Sequence, residues 1–282
     1  MRLGDGPGSG NFEDRTGQSG GGGGGLGGGL IGLLLPLIAS RFGIVGVLIL
    51  GLGYCALSSM GGLGGGGGGS PTTAGKSTLT TEQQQVLTQV LLSTEKVWGD
   101  IFQEAGGTYK PTRLVAYSNA NQSGCGAAQA AMGPFYCPTD ESIYIDPAFF
   151  EELSRRFQAP GDFAQGYVIA HEVGHHIQKL EGTLDRAQSA QARGSTAAGN
   201  AVQVGVELQA DCYAGVWAKR SGLLEAGDIQ EGMRAAEAIG DDMLTKGRVS
   251  PDNFTHGTSA QRREALNRGL SSGDPAQCNY AR

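Results

Sequence analysis

Gly166-Tyr-Val-Ile-Ala-His-Glu-Val-Gly-His-His-Ile-Gln-Lys-Leu180 places His171 and His175 four residues apart, with Glu172 directly after the first. On an α-helix, side chains four apart lie one above the other, so both imidazoles reach a single metal ion and Glu172 stands beside it. Imidazole nitrogens bind Zn²⁺ at about 2.0–2.1 Å, and a carboxylate at that position can take the proton of an attacking water. The stretch predicts one Zn²⁺ per chain and metal-assisted hydrolysis of peptide bonds, against the plainer reading of a polar helix with incidental histidines. His176 is off this face, because adjacent residues on a helix do not share one. It is assigned to an outer layer around the metal or to the surface.

Catalytic zinc takes three protein ligands and keeps a fourth position open, so a third ligand is needed. In the metzincin pattern it would stand at position 181 after a glycine at 178, but this chain has Gln178 and Glu181. A better candidate is Glu207-Leu-Gln-Ala-Asp211, on a helix expected from Val202 to about Lys219, where Val206, Ala210, Tyr213 and Trp217 recur at helical spacing. Glu207 and Asp211 share a face. Glu207 would then ligate the metal while Asp211 accepts an N–H from a ligand histidine and fixes its orientation.

The chain around this site is uneven in composition. Fifty of its 282 residues are glycine, concentrated before residue 70, whereas an average protein holds about 7%. Residues 1–29, with an unbroken glycine run from Gly20 to Gly25, read as a disordered cytoplasmic tail. Residues 30–60 read as a membrane segment, in which Phe42 to Met60 is an uncharged stretch of the length that crosses a bilayer as one transmembrane helix. Arg2, Arg15 and Arg41 before it outnumber Lys76 just after it, which sets the N-terminus in the cytoplasm and the rest outside, as a single-pass protein of the cell's inner membrane. Residues 61–77 form a glycine-rich linker, and 78–282 the catalytic domain. The net charge of −6 without a Lys/Arg block argues against a nucleic-acid partner. Cys125, Cys137, Cys212 and Cys278 fall in the domain with no C-x-x-C pair, which favours one or two disulfides, Cys125 with Cys137 as a local loop, and an oxidising compartment.

Within the domain, Thr80 or Thr81 caps a helix running to about Ala105, with Val86, Val90, Val97, Trp98, Ile101 and Phe102 at helical spacing. Thr112 to Tyr117 and Ser142 to Asp146 read as strands, and Pro147 opens a helix to about Phe157. A substrate peptide is expected to lie extended against an edge strand, either Ser142 to Asp146 or the segment from Met132 to Tyr136.

Several motifs together carry a family resemblance. Asn11-Phe-Glu-Asp-Arg15, Gly133-Pro-Phe-Tyr-Cys-Pro138, His171-Glu-Val-Gly-His-His176, Glu207-Leu-Gln-Ala-Asp-Cys-Tyr-Ala-Gly-Val-Trp217 and His256-Gly-Thr-Ser259 resemble the bacterial neutral zinc metallopeptidase family over essentially the whole chain. The pairing of H-E-x-x-H with Glu207-x-x-Ala210-Asp211 is similar to the gluzincins, including thermolysin-like enzymes and membrane metallopeptidases. The resemblance implies an α+β, zincin-like domain, mainly helical with a small sheet, preceded here by the one transmembrane helix. It implies a polypeptide substrate, unfolded or envelope proteins being the first to consider, and contact with the lipid bilayer through the N-terminal span. His256, with Arg262 six residues on, resembles a late His…Arg segment of the membrane gluzincins. Either His256 acts in catalysis and His256 or Arg262 donates to the tetrahedral oxyanion, or the segment is a helix-capping turn with Arg262 structural. The rival function is a zinc protein that binds unfolded or envelope proteins without cleaving them.

Overall fold

In the computed structural model, residues 1–18 and 76–281 are described. Strand β1 (Phe12–Arg15) is followed by helix α1 (Thr81–Glu104), then β2 (Arg113–Tyr117), the hairpin of β3 (Ala120–Ser123) and β4 (Gly126–Gln129), β5 (Phe135–Cys137) and β6 (Ser142–Ile145). Helices complete the described chain: α2 (Ala148–Arg155), α3 (Asp162–Leu180), α4 (Thr183–Arg193), α5 (Thr196–Ser221), α6 (Asp228–Ala238), α7 (Asp241–Leu244) and α8 (Ser259–Ser272). The architecture is α+β, a four-stranded sheet of order β1-β2-β6-β5 against mostly helical remainder. β1, β2 and β6 run parallel, and β5 is antiparallel to β6.

The central strands bury both faces, which is why they read as continuous apolar runs rather than alternating ones. Leu114, Ala116, Ile143 and Ile145 join the main core with α1, α3 and α5. Val115, Tyr117 and Tyr144 point the other way, into a smaller core with Ala128 and Cys137. The disulfide Cys125–Cys137 ties the β3–β4 hairpin over that face. Helix α1 begins at a capping box, Thr80 accepting from Gln83 N–H and the Gln83 side chain accepting from Thr80 N–H.

Helix α3 is buried nearly all round, from Phe163 to Gln178. Gly174 makes this possible on one side: a Cβ there would stand 3.0 Å from the Cα of Ala210, so α3 and α5 cross almost backbone to backbone. The same device joins α5 to α8, since a Cβ on Gly215 would meet the Leu266 carbonyl oxygen at 2.2 Å. These two close crossings set α5 between α3 and α8.

Three expectations are corrected. The tail expected to be disordered contributes β1, whose Phe12 packs on the core and whose pairing with β2 spans about a hundred residues of chain. Composition alone hides such a strand, because its partner is distant and its neighbours are glycines. Second, no helix among the described residues is long and apolar enough to cross a membrane, and the stretch 42–60 lies outside the described residues, as do 19–29, 30–41 and most of the linker. The single-pass topology meets a further obstacle in the sheet itself. Residues before and after the apolar region belong to one fold, and Thr78 N–H donates to Thr16 Oγ1 at 3.0 Å, so they cannot lie on opposite sides of a bilayer. The transmembrane helix, and the inner-membrane localisation with an extracytoplasmic domain, are therefore not supported. Third, of the two edge-strand alternatives the first is overturned: Ser142–Ile145 is an interior strand between β2 and β5, whereas Phe135–Cys137, which overlaps Met132 to Tyr136, is an edge of the sheet, with β1 at the other.

Candidate metal centre

His171 and His175 project from one face of α3 with ring centroids 4.8 Å apart. Across the Gly174 crossing, α5 delivers Glu207, whose Oε2 lies 3.2 Å from His171 Nε2 and 3.8 Å from His175 Nε2. Ligands around tetrahedral zinc at about 2.0–2.1 Å stand about 3.3 Å apart, so two imidazoles and one carboxylate at these separations fit the ion. All three donor atoms lie within 4.8 Å of one another. Glu172, on the same helix, is almost fully buried, and burial pushes its carboxyl above the ordinary range despite the two nearby imidazoles. A carboxyl with a raised pKa beside a metal site is suited to take and return a proton.

Each donor is held from behind. Asp211, fully buried, accepts from His171 Nδ1 at 2.8 Å, which turns Nε2 toward Glu207. Burial pushes Asp211 up, yet the Arg262 guanidinium and His171 together hold it below the usual carboxylate range. Tyr167 Oη also donates to Asp211 at 2.6 Å. Glu207 Oε1 accepts from Gln203 at 3.0 Å, and His175 Nδ1 meets Gln178 Oε1 at 2.9 Å. Although burial works against it, the field of His175, His171 and His256 keeps Glu207 well below its ordinary pKa.

Arg262 does not face the open side of the centre. Its Nε and Nη2 each donate to Asp211 at 2.8 Å, and Nη1 reaches the Ile239 carbonyl at 3.3 Å. This geometry is that of a buried ion pair behind His171, and it leaves the oxyanion alternative for Arg262 unsupported. His256 stands near enough to lower Glu207, on a turn organised by Asp241. Asp241 Oδ2 accepts from the N–H groups of Thr255, His256 and Gly257 at 2.7, 2.7 and 3.1 Å, and its Oδ1 lies 3.2 Å from His256 Nδ1. The turn also caps α8 through Thr258, so the catalytic and capping readings of this segment are compatible.

His176 is buried rather than at the surface. Its Nε2–H donates to the Lys110 carbonyl at 2.7 Å and its Nδ1 is hydrogen-bonded to Tyr136 Oη at 2.9 Å, so the ring pins β5 to α3. Burial lowers its pKa accordingly. The second disulfide, Cys212–Cys278, fixes the C-terminal segment to α5 one residue past Asp211. Sequence reasoning missed Tyr167, Gln178, Gln203 and Asp241. Tyr167 and Gln203 carried a usable signal, each lying one helical turn before a proposed ligand. Asp241 carried none, because its partners are 14–16 residues away in an irregular turn.

A family model described as "Putative neutral zinc metallopeptidase" matches residues 1–281. The chain belongs to this family. YpfJ of Escherichia coli strain K12, described as uncharacterized, is 52% identical over 196 residues, 67% of this chain and 68% of its own. Mb2605 of Mycobacterium bovis and Rv2575 of Mycobacterium tuberculosis strain H37Rv, described in the same way, are each 42% identical over 204 residues, 66% of this chain and 67% of theirs. No solved structure matches the chain. Family membership suggests zinc as the metal for the His171, His175 and Glu207 cluster.

Proposed function

We propose that the chain is a zinc-dependent endopeptidase that hydrolyses peptide bonds in extended polypeptide substrates, with His171, His175 and Glu207 holding one Zn²⁺. The observation that carries this reading is the convergence of those three donors at ligand-to-ligand separations suited to zinc, with Glu172 buried on the same helix. Zinc bound there would acidify the attacking water and polarise the scissile carbonyl. Glu172 accepts the water proton at its carboxylate and passes it to the leaving amine. His256, oriented by Asp241, donates toward the developing oxyanion. Asp211, with Arg262 behind it, keeps the His171 ring aimed at the site.

Substrate is held by strand pairing. β5 is the edge of the sheet beside α3, and its outer side, which no strand pairs among the described residues, can pair with an extended peptide through backbone groups, with little dependence on sequence. His176 and Tyr136 keep this strand in place. The experiment that tests the function is Glu172→Gln: retained zinc with hydrolysis of an unfolded model protein such as casein reduced at least about 100-fold is expected. Unchanged hydrolysis by that variant, or hydrolysis in neither protein with zinc bound in both, refutes it; the second outcome favours a zinc protein that binds polypeptides without cleaving them.

A further inference from the structure

His175 differs from His171 in how it is supported, and the difference runs to the far end of the chain. Its Nδ1 faces the side-chain amide of Gln178, three residues later on α3 and fully buried. An amide can present either its oxygen or its NH₂, and the choice determines which imidazole nitrogen carries the proton. Here the choice is forced. Gln178 Nε2 lies 2.7 Å from the Val206 carbonyl oxygen, an atom that only accepts, so the NH₂ must be on that side and Oε1 on the side of His175. His175 Nδ1 must then hold the hydrogen, and its Nε2 lone pair is left toward Glu207.

The second hydrogen of Gln178 is fixed in the same way. It is donated at 2.9 Å to Oε1 of Gln209, whose own Nε2 donates at 2.9 Å to the carbonyl of Cys278. That carbonyl too only accepts, so Gln209 cannot turn round without setting two acceptors or two donors against each other. Cys278 is buried and covalently joined to Cys212 on α5, one turn beyond Gln209. The relay therefore ends on a segment whose position the disulfide secures.

We propose that Gln178 is the positioning residue for His175, that Gln209 and the Cys278 carbonyl complete its support, and that the Cys212–Cys278 disulfide thereby tunes metal affinity. The proposal rests on the reading of His171, His175 and Glu207 as metal ligands, and its readout is metal binding rather than proteolysis. Zinc affinity of the full chain is measured by competition with a chromophoric chelator, and the visible spectrum of the Co²⁺-loaded protein reports the ligand geometry. Gln178→Leu is expected to weaken zinc about 10- to 100-fold and to alter the cobalt spectrum, as losing the partner of a ligand imidazole does elsewhere. Gln209→Leu leaves the Val206 contact intact and should weaken zinc roughly two- to tenfold. Replacing Cys212 and Cys278 together by alanine should cost a similar factor in the parent and nothing further in the Gln209→Leu background. Should Gln178→Leu or the cysteine pair not fold, Gln209→Leu alone decides, since unchanged affinity and spectrum overturn the proposal. Equal losses from removing the disulfide in both backgrounds also overturn it, because they would mean a general loosening of the fold. A parent that binds no zinc refutes the metal reading itself, whereas a parent that binds it and variants that bind it equally refute only the relay.

Discussion

Asp211→Asn tests the support of His171. Every group around the Asp211 carboxylate is a donor: Tyr167 Oη, His171 Nδ1, and Nε and Nη2 of Arg262. An asparagine NH₂ must therefore meet a donor whichever way it sits, and the Arg262 guanidinium loses its counter-charge at a position only 1% exposed. Removing one partner of a buried ion pair costs about 3–5 kcal/mol. In a domain of this size, 1 kcal/mol moves the melting temperature by about 2–4 °C, so a fall of roughly 6–20 °C is expected, measured with chelator present to keep metal binding out of the comparison. Zinc affinity should fall about 10- to 100-fold. The double variant Asp211→Asn with Arg262→Met removes the stranded charge while leaving Asn an oxygen for His171 and Tyr167. Its stability should recover by at least about half of the single variant's loss, while zinc affinity stays below the parent's, because a neutral amide holds an imidazole less firmly than a carboxylate. Urea unfolding and chelator competition on the four proteins of the cycle read the two effects separately. Additive losses of stability would refute the reasoning, since they would show that Arg262 is not the group stranded by the first change.

Gly174→Ala places a methyl group 3.0 Å from Ala210 Cα, so α3 and α5 must part; a stability loss of about 1–3 kcal/mol in thermal melts and weaker zinc binding are expected, and a neutral result would mean the crossing is looser than described. Asp241 is raised by burial but held below the ordinary carboxylate range by His256 and the backbone N–H groups of its turn. The sign follows: its contribution is fully present above about pH 4 and is lost as pH falls through its lower folded value, so urea unfolding of parent and Asp241→Asn should differ at pH 7 and converge in acid. Divergence on acidification would contradict it. Deleting residues 1–18 removes β1 from the sheet and should lower the melting temperature, whereas a dispensable tail would leave it unchanged.

What the sequence revealed follows the range of the interactions. His171 and His175 sit one helical turn apart, so their shared face is a local property, and the same holds for Glu207 and Asp211 on α5. The bridge between the two pairs is not local, but the vacancy at zinc's third ligand made it deducible; that the two helices can meet because of Gly174 is visible only in the structure. Where the determining partner was distant and nothing demanded it, reading failed. β1 owes its existence to β2, and no periodicity within Phe12–Arg15 announces that pairing. For Arg262 the sequence left an oxyanion and a structural role open, and the choice depends on distant partners: Arg262 on α8 reaches Asp211, while His256 in the turn before α8 reaches Asp241. His176 shows the remaining class of error. A neighbour of a ligand was read relative to the metal, although its partners, Tyr136 and the Lys110 carbonyl, belong to the strand side of the helix. Helix α3 therefore has two polar faces with different tasks, one presenting His171 and His175 to the metal and the other fastening the edge strand. A helix buried nearly all round can carry both because the buried polar atoms of His171, His176 and Gln178 find partners, which makes His176 as dependent on β5 as β5 is on His176.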